Sequence, residues 1–184
     1  MKTNYTLFNL KKEVMKKLVF ILTTLVAFTF YQNATAQKTI VDVAVSNDNF
    51  STLVTALKSA ELVSALQGEG PFTVFAPTND AFAKIDAATL KSLLQPKNRK
   101  ALTNILTYHV IPSKLMASDV VAALKKGKGK VTVKALNGQS LTVMSKDGKI
   151  WLKDQNGNYS EIVATDVKAN NGVIHVINSV VMPK

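Results

Sequence analysis

The feature that most constrains the fold of this 184-residue chain is a set of three tight-turn signals in its C-terminal half. Each is a small polar residue followed by glycine, and they lie at Asn137-Gly138, Asp147-Gly148 and Asn156-Gly157. Such dipeptides between alternating apolar residues are the strongest short-range signal for a β-hairpin, and Asn-Gly favours the type I′ turn. The sequence therefore predicts an antiparallel meander, with a type I′ turn at Asn137-Gly138.

Apolar segments of strand length surround these turns. They are residues 131–133, 141–143, 150–152, 161–163 and a closing segment at 173–182. An earlier apolar segment, residues 72–75, is also predicted to be a short strand that ends at Pro77. These segments predict that the C-terminal half of the chain forms most of a sheet.

The N-terminal half instead shows the period of an α-helix. Phe50, Leu53, Val54 and Leu57 recur at i, i+3, i+4 and i+7, which is one face of a helix. Candidate N-caps are residues whose side chains accept a hydrogen bond from the first helical turn. They are Thr39, Asp48 or Asn49, Thr78 or Asn79, and Asn98. Helices first and antiparallel strands afterwards are an α+β layout.

Residues 1–36 indicate export. Four lysines at positions 11, 12, 16 and 17 precede an uncharged apolar stretch at 18–31, and Ala34 and Ala36 supply the small residues of a signal-peptidase site. The stretch is shorter than the about 20 residues of a membrane span. We expect cleavage after Ala36; an uncleaved N-terminal anchor is the alternative, and Met15 is an alternative start.

The remaining residues, 37–184, are predicted to form a single domain with one core. The chain has no cysteine, which excludes disulfides, thiolate metal sites and cysteine nucleophiles. The leader holds five of the 23 basic residues and one of the 12 acidic residues, so the formal net charge falls from +11 to +7 on cleavage. This excess favours acidic partners. With no anchor or tandem copy in this range, we expect a module that bridges two surfaces only by oligomerising or by using two faces.

Three segments, taken together, resemble the fasciclin domain. They are the apolar strand and helix start at 72–82, the pair Tyr108-His109, and the segment Asn171-Gly172 with the strand that follows it to Ile177. The likeness extends from Thr39 to Pro183. It implies a compact wedge in which N-terminal helices pack on two small, mainly antiparallel sheets, and it implies an extracellular adhesion or matrix role without catalysis.

The resemblance also implies a contact surface. In animal members of the family, integrin contact is attributed to the Tyr-His element and to an Asp-Ile pair, and the matching positions here are Tyr108, His109, Asp166 and Val167. The sequence itself favours another role for the two histidines, His109 and His175, because apolar neighbours are typical of a buried, hydrogen-bonded imidazole. Both interpretations stay open at this point.

The densest charge lies at residues 125–130. The lysines concerned, here called the lysine run, are Lys125, Lys126, Lys128, Lys130 and, just beyond, Lys134. Flexible ammonium groups bind spread-out negative charge, so the lysine run is a candidate polyanion contact; a solvated loop is the alternative. It lacks the interleaved aromatic residues that stack on bases, so no nucleic acid is expected. Trp151, the only tryptophan, is predicted to pack on the sheet rather than to bind a ligand.

Patterns that carry catalysis are missing from the sequence. It has no Gly-x-Ser-x-Gly motif, no evident acid–base pair, and no carboxylate at helical spacing from either histidine. We therefore expect no enzyme, no cofactor and no metal site.

The predicted function is an exported adhesion or extracellular-matrix interaction module that is secreted, periplasmic or on the cell surface. Its expected partner is a cell-surface or matrix protein or an acidic polysaccharide, with membrane contact only through an uncleaved leader. One alternative is a periplasmic or secreted carrier of a small apolar ligand between helices and sheet. Another is an envelope protein with no partner. A deep closed cavity would favour the carrier, and a filled core with a basic surface would favour adhesion.

Overall fold

A computed structural model of the protein describes residues 38–184, and Lys38–Lys184 form one compact unit. The predicted leader at 1–36, its cleavage after Ala36 and the alternative start at Met15 lie outside the described residues. No helix within residues 38–184 is long and apolar enough to cross a membrane.

Seven α-helices lie in the described part of the chain. They are α1 (Ile40–Val45), α2 (Ser51–Ser59), α3 (Val63–Gln67), α4 (Asn79–Ala83), α5 (Ala87–Leu93), α6 (Arg99–Tyr108) and α7 (Ala117–Lys126). Two 3₁₀ turns, Asp48–Phe50 and Pro96–Asn98, precede α2 and α6.

Two of the predicted N-caps are confirmed. Thr39 and Asp42 form a reciprocal capping box at α1, with Thr39 N donating to Asp42 Oδ2 at 2.9 Å. Thr78 Oγ1 accepts a hydrogen bond from Ala81 N at 3.3 Å and caps α4. In both helices the cap is at most three residues from its partner, so the local sequence is sufficient to specify it.

The predicted cap of α2 is wrong. Neither Asp48 nor Asn49 caps the helix; Asn47 caps the preceding 3₁₀ turn, with its side chain accepting from Asn49 N at 3.0 Å. The acceptor for α2 comes from another helix, because Asn79 Oδ1 accepts from Thr52 N at 3.0 Å. A residue 27 positions away thus satisfies a donor in the first turn of α2.

Within residues 38–184, seven β-strands form one hydrogen-bonded order, β2-β1-β7-β6-β5-β4-β3. They are β1 (Phe72–Pro77), β2 (Val110–Ile111), β3 (Lys130–Lys134), β4 (Ser140–Lys146), β5 (Lys149–Lys153), β6 (Tyr159–Ala169) and β7 (Gly172–Ile177). All neighbours are antiparallel except β1 and β7, which pair in parallel.

The sheet is continuous and nearly closes into a barrel, which differs from the two small sheets that were expected. The long strand β6 pairs with β5 on one side and with β7 on the other, so the two expected sheets share it. Leu136, just after one edge strand, donates its N–H to Val110 O in the other edge strand at 2.7 Å. This bond joins the two ends of the strand order.

The predicted type I′ turn occurs, but at a different dipeptide. This turn needs a positive φ at both central residues. Asp147 and Gly148 have φ of 54° and 73°, whereas at Asn137-Gly138 only the glycine is positive, at 83°. The Asn137 amide nitrogen donates to Asn104 Oδ1 at 2.9 Å, so a contact with α6 accompanies the different loop.

The closing strand is shorter than predicted, since β7 ends at Ile177 rather than at 182. Asn178 Oδ1 accepts a hydrogen bond from Glu161 N at 3.0 Å, and Ser179 N donates to Ser160 Oγ at the same distance. Asn178 N still donates to Glu161 O at 3.1 Å, so the contact with β6 continues past β7 through one backbone bond and these two side-chain bonds.

Two apolar clusters lie on opposite faces of β1 and β7. Val74, Ala76 and Ile174 face the helices, while Phe75 and Ile177 face the barrel interior. The helix-side cluster also holds Leu53, Leu57, Leu102 and Leu106, and the barrel cluster holds Tyr108, Leu124, Leu141, Val143, Leu152 and Val181. β1 and β7 thus carry buried side chains on both faces.

Asn171, at the start of the second resembling segment, ties the first helices to the sheet. Its Oδ1 accepts from Ile40 N at 3.0 Å, and its amide nitrogen donates to Leu66 O and Gly68 O at 2.8 Å each. The next residue, Gly172, has no room for a side chain, because an added Cβ would overlap Phe72 O on β1.

Candidate functional site

Tyr108 is the last residue of α6, and its side chain is fully buried. Its hydroxyl donates to Ser140 O at 2.9 Å. Burial, together with the negative charge of Asp154, raises the pKa of Tyr108 to about 12. The phenol is therefore a neutral hydrogen-bond donor that joins α6 to β4.

His109 is also buried, with 3% of its surface exposed. Its Nδ1 lies 2.8 Å from Ile105 O, and its Nε2 accepts from Val181 N at 3.2 Å. A carbonyl oxygen only accepts, so Nδ1 carries the proton and the ring is the neutral tautomer. Burial lowers the pKa of His109 to about 4, against the weaker opposing effect of the bond to Ile105. The prediction of a buried, hydrogen-bonded imidazole is confirmed.

His175, on β7, is also buried, with 1% of its surface exposed. Its Nε2 donates to Leu115 O at 2.8 Å, and its Nδ1 accepts from Asp166 N at 3.3 Å. Asp166 has a positive φ of 60° and lies where the register of β6 shifts. The left-handed backbone of Asp166 thus accompanies the turn of its N–H toward the buried ring.

Asp166 and Val167 are half-buried. Asp166 Oδ1 accepts from Ala117 N, the first residue of α7, at 2.8 Å. A carboxylate is favourable at this end of a helix, where unpaired N–H groups carry partial positive charge. Val167 packs against the helix-side cluster. Both residues therefore have clear structural roles.

His109 and Asp166, two of the four residues implied by the resemblance, are linked through β1 and β7. Phe75 N donates to His109 O at 2.9 Å, Phe75 pairs with His175, and His175 bonds Asp166. Their polar atoms are directed inward, however. Direct contact with a partner through Tyr108 or His109 would require this part of the core to open; contact through Asp166 and Val167 stays a prediction.

The enclosed space between helices and sheet is small. The cavity lined by residues including Leu53, Leu106 and Ile174 has a volume of about 20 Å³. That is about the space of one water molecule, against several hundred Å³ for a small-molecule pocket. The carrier hypothesis, which needs a ligand held between these layers, gains no support from it.

An open groove lies beside the C-terminal half of α7. It has a volume of about 430 Å³ and runs between α7 and the β4–β5 hairpin, with Leu124, Ile150 and Lys125 among its lining residues. It is a depression of the surface, bordered by the lysine run. Elsewhere in residues 38–184, no group of three or more His, Asp or Glu side chains is placed to hold a metal ion.

All five members of the lysine run are exposed. Lys125 and Lys126 form the last turn of α7, where positive charge is favourable beside the unpaired carbonyl groups of the helix end. Lys128 lies in the following loop with φ of 52°. Lys130 and Lys134 are the first and last residues of β3. The run therefore extends from the end of a helix onto the sheet.

The strand register adds lysines that the sequence analysis missed. Residues two apart on a strand share a face, and paired residues lie side by side. Lys130 pairs with Met144, Met144 with Trp151, and Lys146 with Lys149. The face opposite the barrel interior, here called the lysine face, collects the following residues around Trp151: Lys130, Lys134, Lys146, Lys149 and Lys153. The signal that could have revealed them is strand alternation read through both hairpins.

Trp151 lies on the lysine face, half-buried among its neighbours and outside both apolar clusters. Its indole N–H is buried and has no hydrogen-bond partner within residues 38–184. Buried polar groups are nearly always paired, so this one stands out.

The chain is similar in sequence to a family model and to several known proteins. A model of the Fasciclin domain matches residues 48–183. Protein sll1483 from Synechocystis is 50% identical over 145 residues, which cover 79% of this chain and 73% of that protein. The cell surface glycolipoprotein MPB83 from Mycobacterium bovis is 34% identical over 153 residues, which cover 80% of this chain and 62% of that protein.

A solved structure has a similar fold. It is a FAS1 domain pair from the insect cell adhesion molecule fasciclin I, with a TM-score of 0.68 and 20% sequence identity. The match covers 77% of this chain and 50% of that one. At this identity, the likeness shows a shared fold.

Proposed function

The chain belongs to the fasciclin domain family, and we propose that it acts outside the cytoplasm as a non-catalytic module that binds a polyanionic cell-surface or matrix component. Binding is by surface recognition, with the lysine run supplying long-range attraction. The proposed location is secreted, periplasmic or on the cell surface.

The observation that carries the proposal is the exposure of the whole lysine run beside a tightly filled interior. Charge on a preformed surface attracts an extended partner without a deep pocket. The buried histidines support the non-catalytic part of the proposal. Each ring nitrogen of His109 and His175 already has a backbone partner.

The family and the predicted leader support the proposed location. Fasciclin domains are generally adhesion-type domains without enzymatic activity. MPB83, which is 34% identical, is named a cell surface glycolipoprotein. The basic and apolar pattern of residues 1–36 favours export.

Retention of the full-length protein on envelope and matrix fractions of the producing cells tests the proposal. The protein is applied at about 0.01 M and about 1 M salt, where the Debye length falls from about 30 Å to about 3 Å. We expect retention at low salt and release at high salt. Replacing Lys125, Lys126 and Lys128 together by glutamine should weaken low-salt retention roughly tenfold, since each exposed charge contributes a fraction of a kcal/mol.

The matched control replaces Lys91, Lys97 and Lys100 by glutamine. These three lysines are also exposed but lie on α5, the second 3₁₀ turn and α6. The control has the same net charge as the test variant and should be retained like the wild type. Absence of retention at both salt concentrations, or an equal loss of retention in both variants, would contradict the proposal.

A further inference from the structure

Resting on the proposed function and deepening it, we propose that the lysine face is the binding surface and that its ligand is a linear acidic polysaccharide. The lysine face is the outer side of β3, β4 and β5, and it has Trp151 near its centre. Three features carry the proposal: an unbalanced charge, an aromatic ring between two ammonium groups, and a lysine content unlike that of protein interfaces.

The charge on this face is poorly balanced. Only Lys149 has an ion-pair partner among residues 38–184, with its Nζ 2.7 Å from Glu161 Oε1 on the neighbouring strand. Lys146 and Lys149 are directly opposite each other across the β4–β5 hairpin. Like charges in a cross-strand pair oppose folding. The Glu161 carboxylate offsets part of this repulsion, and an anionic ligand would offset more of it.

The position of the Trp151 ring between two lysines suits a ligand that is a chain of sugars. Trp151 lies between Lys149 and Lys153 on β5, about 7 Å along the strand from each. The face of an indole ring is electron-rich and packs against the C–H groups of a sugar ring. With a sugar on Trp151, acidic groups on the neighbouring sugars come within reach of the two flexible ammonium groups.

The unpaired indole N–H adds a further reason for a ligand. It is buried and has no acceptor in residues 38–184. A buried donor without an acceptor costs free energy. A polysaccharide carries many hydroxyl oxygens, which are acceptors for an indole N–H.

The composition of the face favours a polysaccharide over a protein or a membrane. Lysine is depleted at the centres of protein–protein interfaces, because burying a hydrated ammonium group is costly. Membrane insertion needs apolar side chains that protrude, and Trp151 is half-buried among its neighbours. A hydrated acidic polymer leaves the ammonium groups in water while neutralising them.

Trp151 also provides the assay, since it is the only tryptophan of the chain. The full-length protein is titrated with polygalacturonate, a linear polysaccharide with a carboxylate on each sugar, while tryptophan emission is recorded. We expect a saturable change in emission that is reversed by high salt. Neutral dextran, which has sugars but no charge, should cause no change.

Variants then locate the contact. Replacing Lys149 and Lys153 together by glutamine should weaken polygalacturonate binding about fivefold or more. Lys91 and Lys97, replaced in the same way, should leave it unchanged. Trp151→Phe should weaken polygalacturonate binding, measured by calorimetry, while its far-ultraviolet circular dichroism spectrum stays like that of the wild type. Retained affinity in Trp151→Phe and in the Lys149/Lys153 variant would overturn the proposal.

The outcomes separate this proposal from the function on which it rests. Envelope retention without any response of Trp151 to polygalacturonate would refute the lysine face and leave the function standing. An equal response to poly-glutamate would show attraction by charge alone and would refute a sugar site. Binding only to phosphatidylserine vesicles would indicate a membrane surface instead. If the protein neither responds to polygalacturonate nor is retained on envelope fractions, both this proposal and the proposed function are refuted.

Discussion

Buried His109 makes the stability of this protein depend on pH in a way that can be worked out from the structure. Burial lowers the pKa of its imidazole from 6.5 to about 4. The unfolded chain keeps the ordinary value, so as the pH falls below about 6.5 the unfolded state takes up a proton first. The contribution of neutral His109 is therefore complete above that pH and is lost progressively toward pH 4.

The magnitude follows from linkage. Between the two pKa values, the free energy of unfolding falls by about 1.4 kcal/mol for each pH unit, or by about 3 kcal/mol in total. Burial leaves little solvent to screen this effect, since 3% of the residue is exposed. Domains of this kind have a total stability of about 5–15 kcal/mol, so the loss is large enough to measure.

The assay is urea unfolding of the wild type and of His109→Gln at pH 7, 6, 5 and 4. Glutamine offers one donor and one acceptor, as the ring does toward Ile105 O and Val181 N, but does not titrate. All other titrating groups are shared, so the difference between the two proteins isolates His109. We expect this difference to change by about 3 kcal/mol from pH 7 to pH 4. Parallel curves would refute the assigned burial and pKa.

Two further predictions concern the joint between the first helices and the sheet. Asn171→Ala removes three hydrogen bonds and should lower the free energy of unfolding, measured in urea, by about 3 kcal/mol. The control Asn170→Ala, at an exposed neighbour, should stay near wild type. Similar values for the two variants would contradict the role of Asn171. Gly172→Ala places a methyl group against Phe72 O and should lower the stability, measured by thermal unfolding, by about 3 kcal/mol. Gly157→Ala, where φ is 91° and the space is open, should lower it by about 1 kcal/mol. The reverse order would show that β1 and β7 tolerate separation.

Local signals predicted the helices and most of the strands well. The caps at Thr39 and Thr78 and the helix-side leucines of α2 follow from contacts within a few residues. The same reasoning failed for the start of α2, since its acceptor, Asn79, belongs to another helix. It also placed the type I′ turn at the wrong dipeptide, Asn137-Gly138, where a contact with α6 accompanies a different loop.

The candidate site divides in a similar way. The lysine run could be identified from the sequence as a stretch of charge, and its exposure fits both the polyanion contact and the alternative of a solvated segment. Tyr108 was expected by resemblance to contact a partner, yet its side chain is fully buried. The resemblance identified the position, but the surroundings of a side chain depend on what packs over it. The lysines of β4 and β5 were missed because they are far from the run in sequence.

By itself, the sequence determined the order of elements, the family and the net positive charge, because each depends on composition or on residues close together along the chain. Only the tertiary structure decided that β1 pairs in parallel with β7, that His109 is enclosed beneath Val181, and that Lys130 and Lys153 share one face. The physical reason is that strand register and burial are set by contacts between distant segments. A local pattern of alternation specifies two faces for each strand, and the partner strands specify which residues those faces bring together.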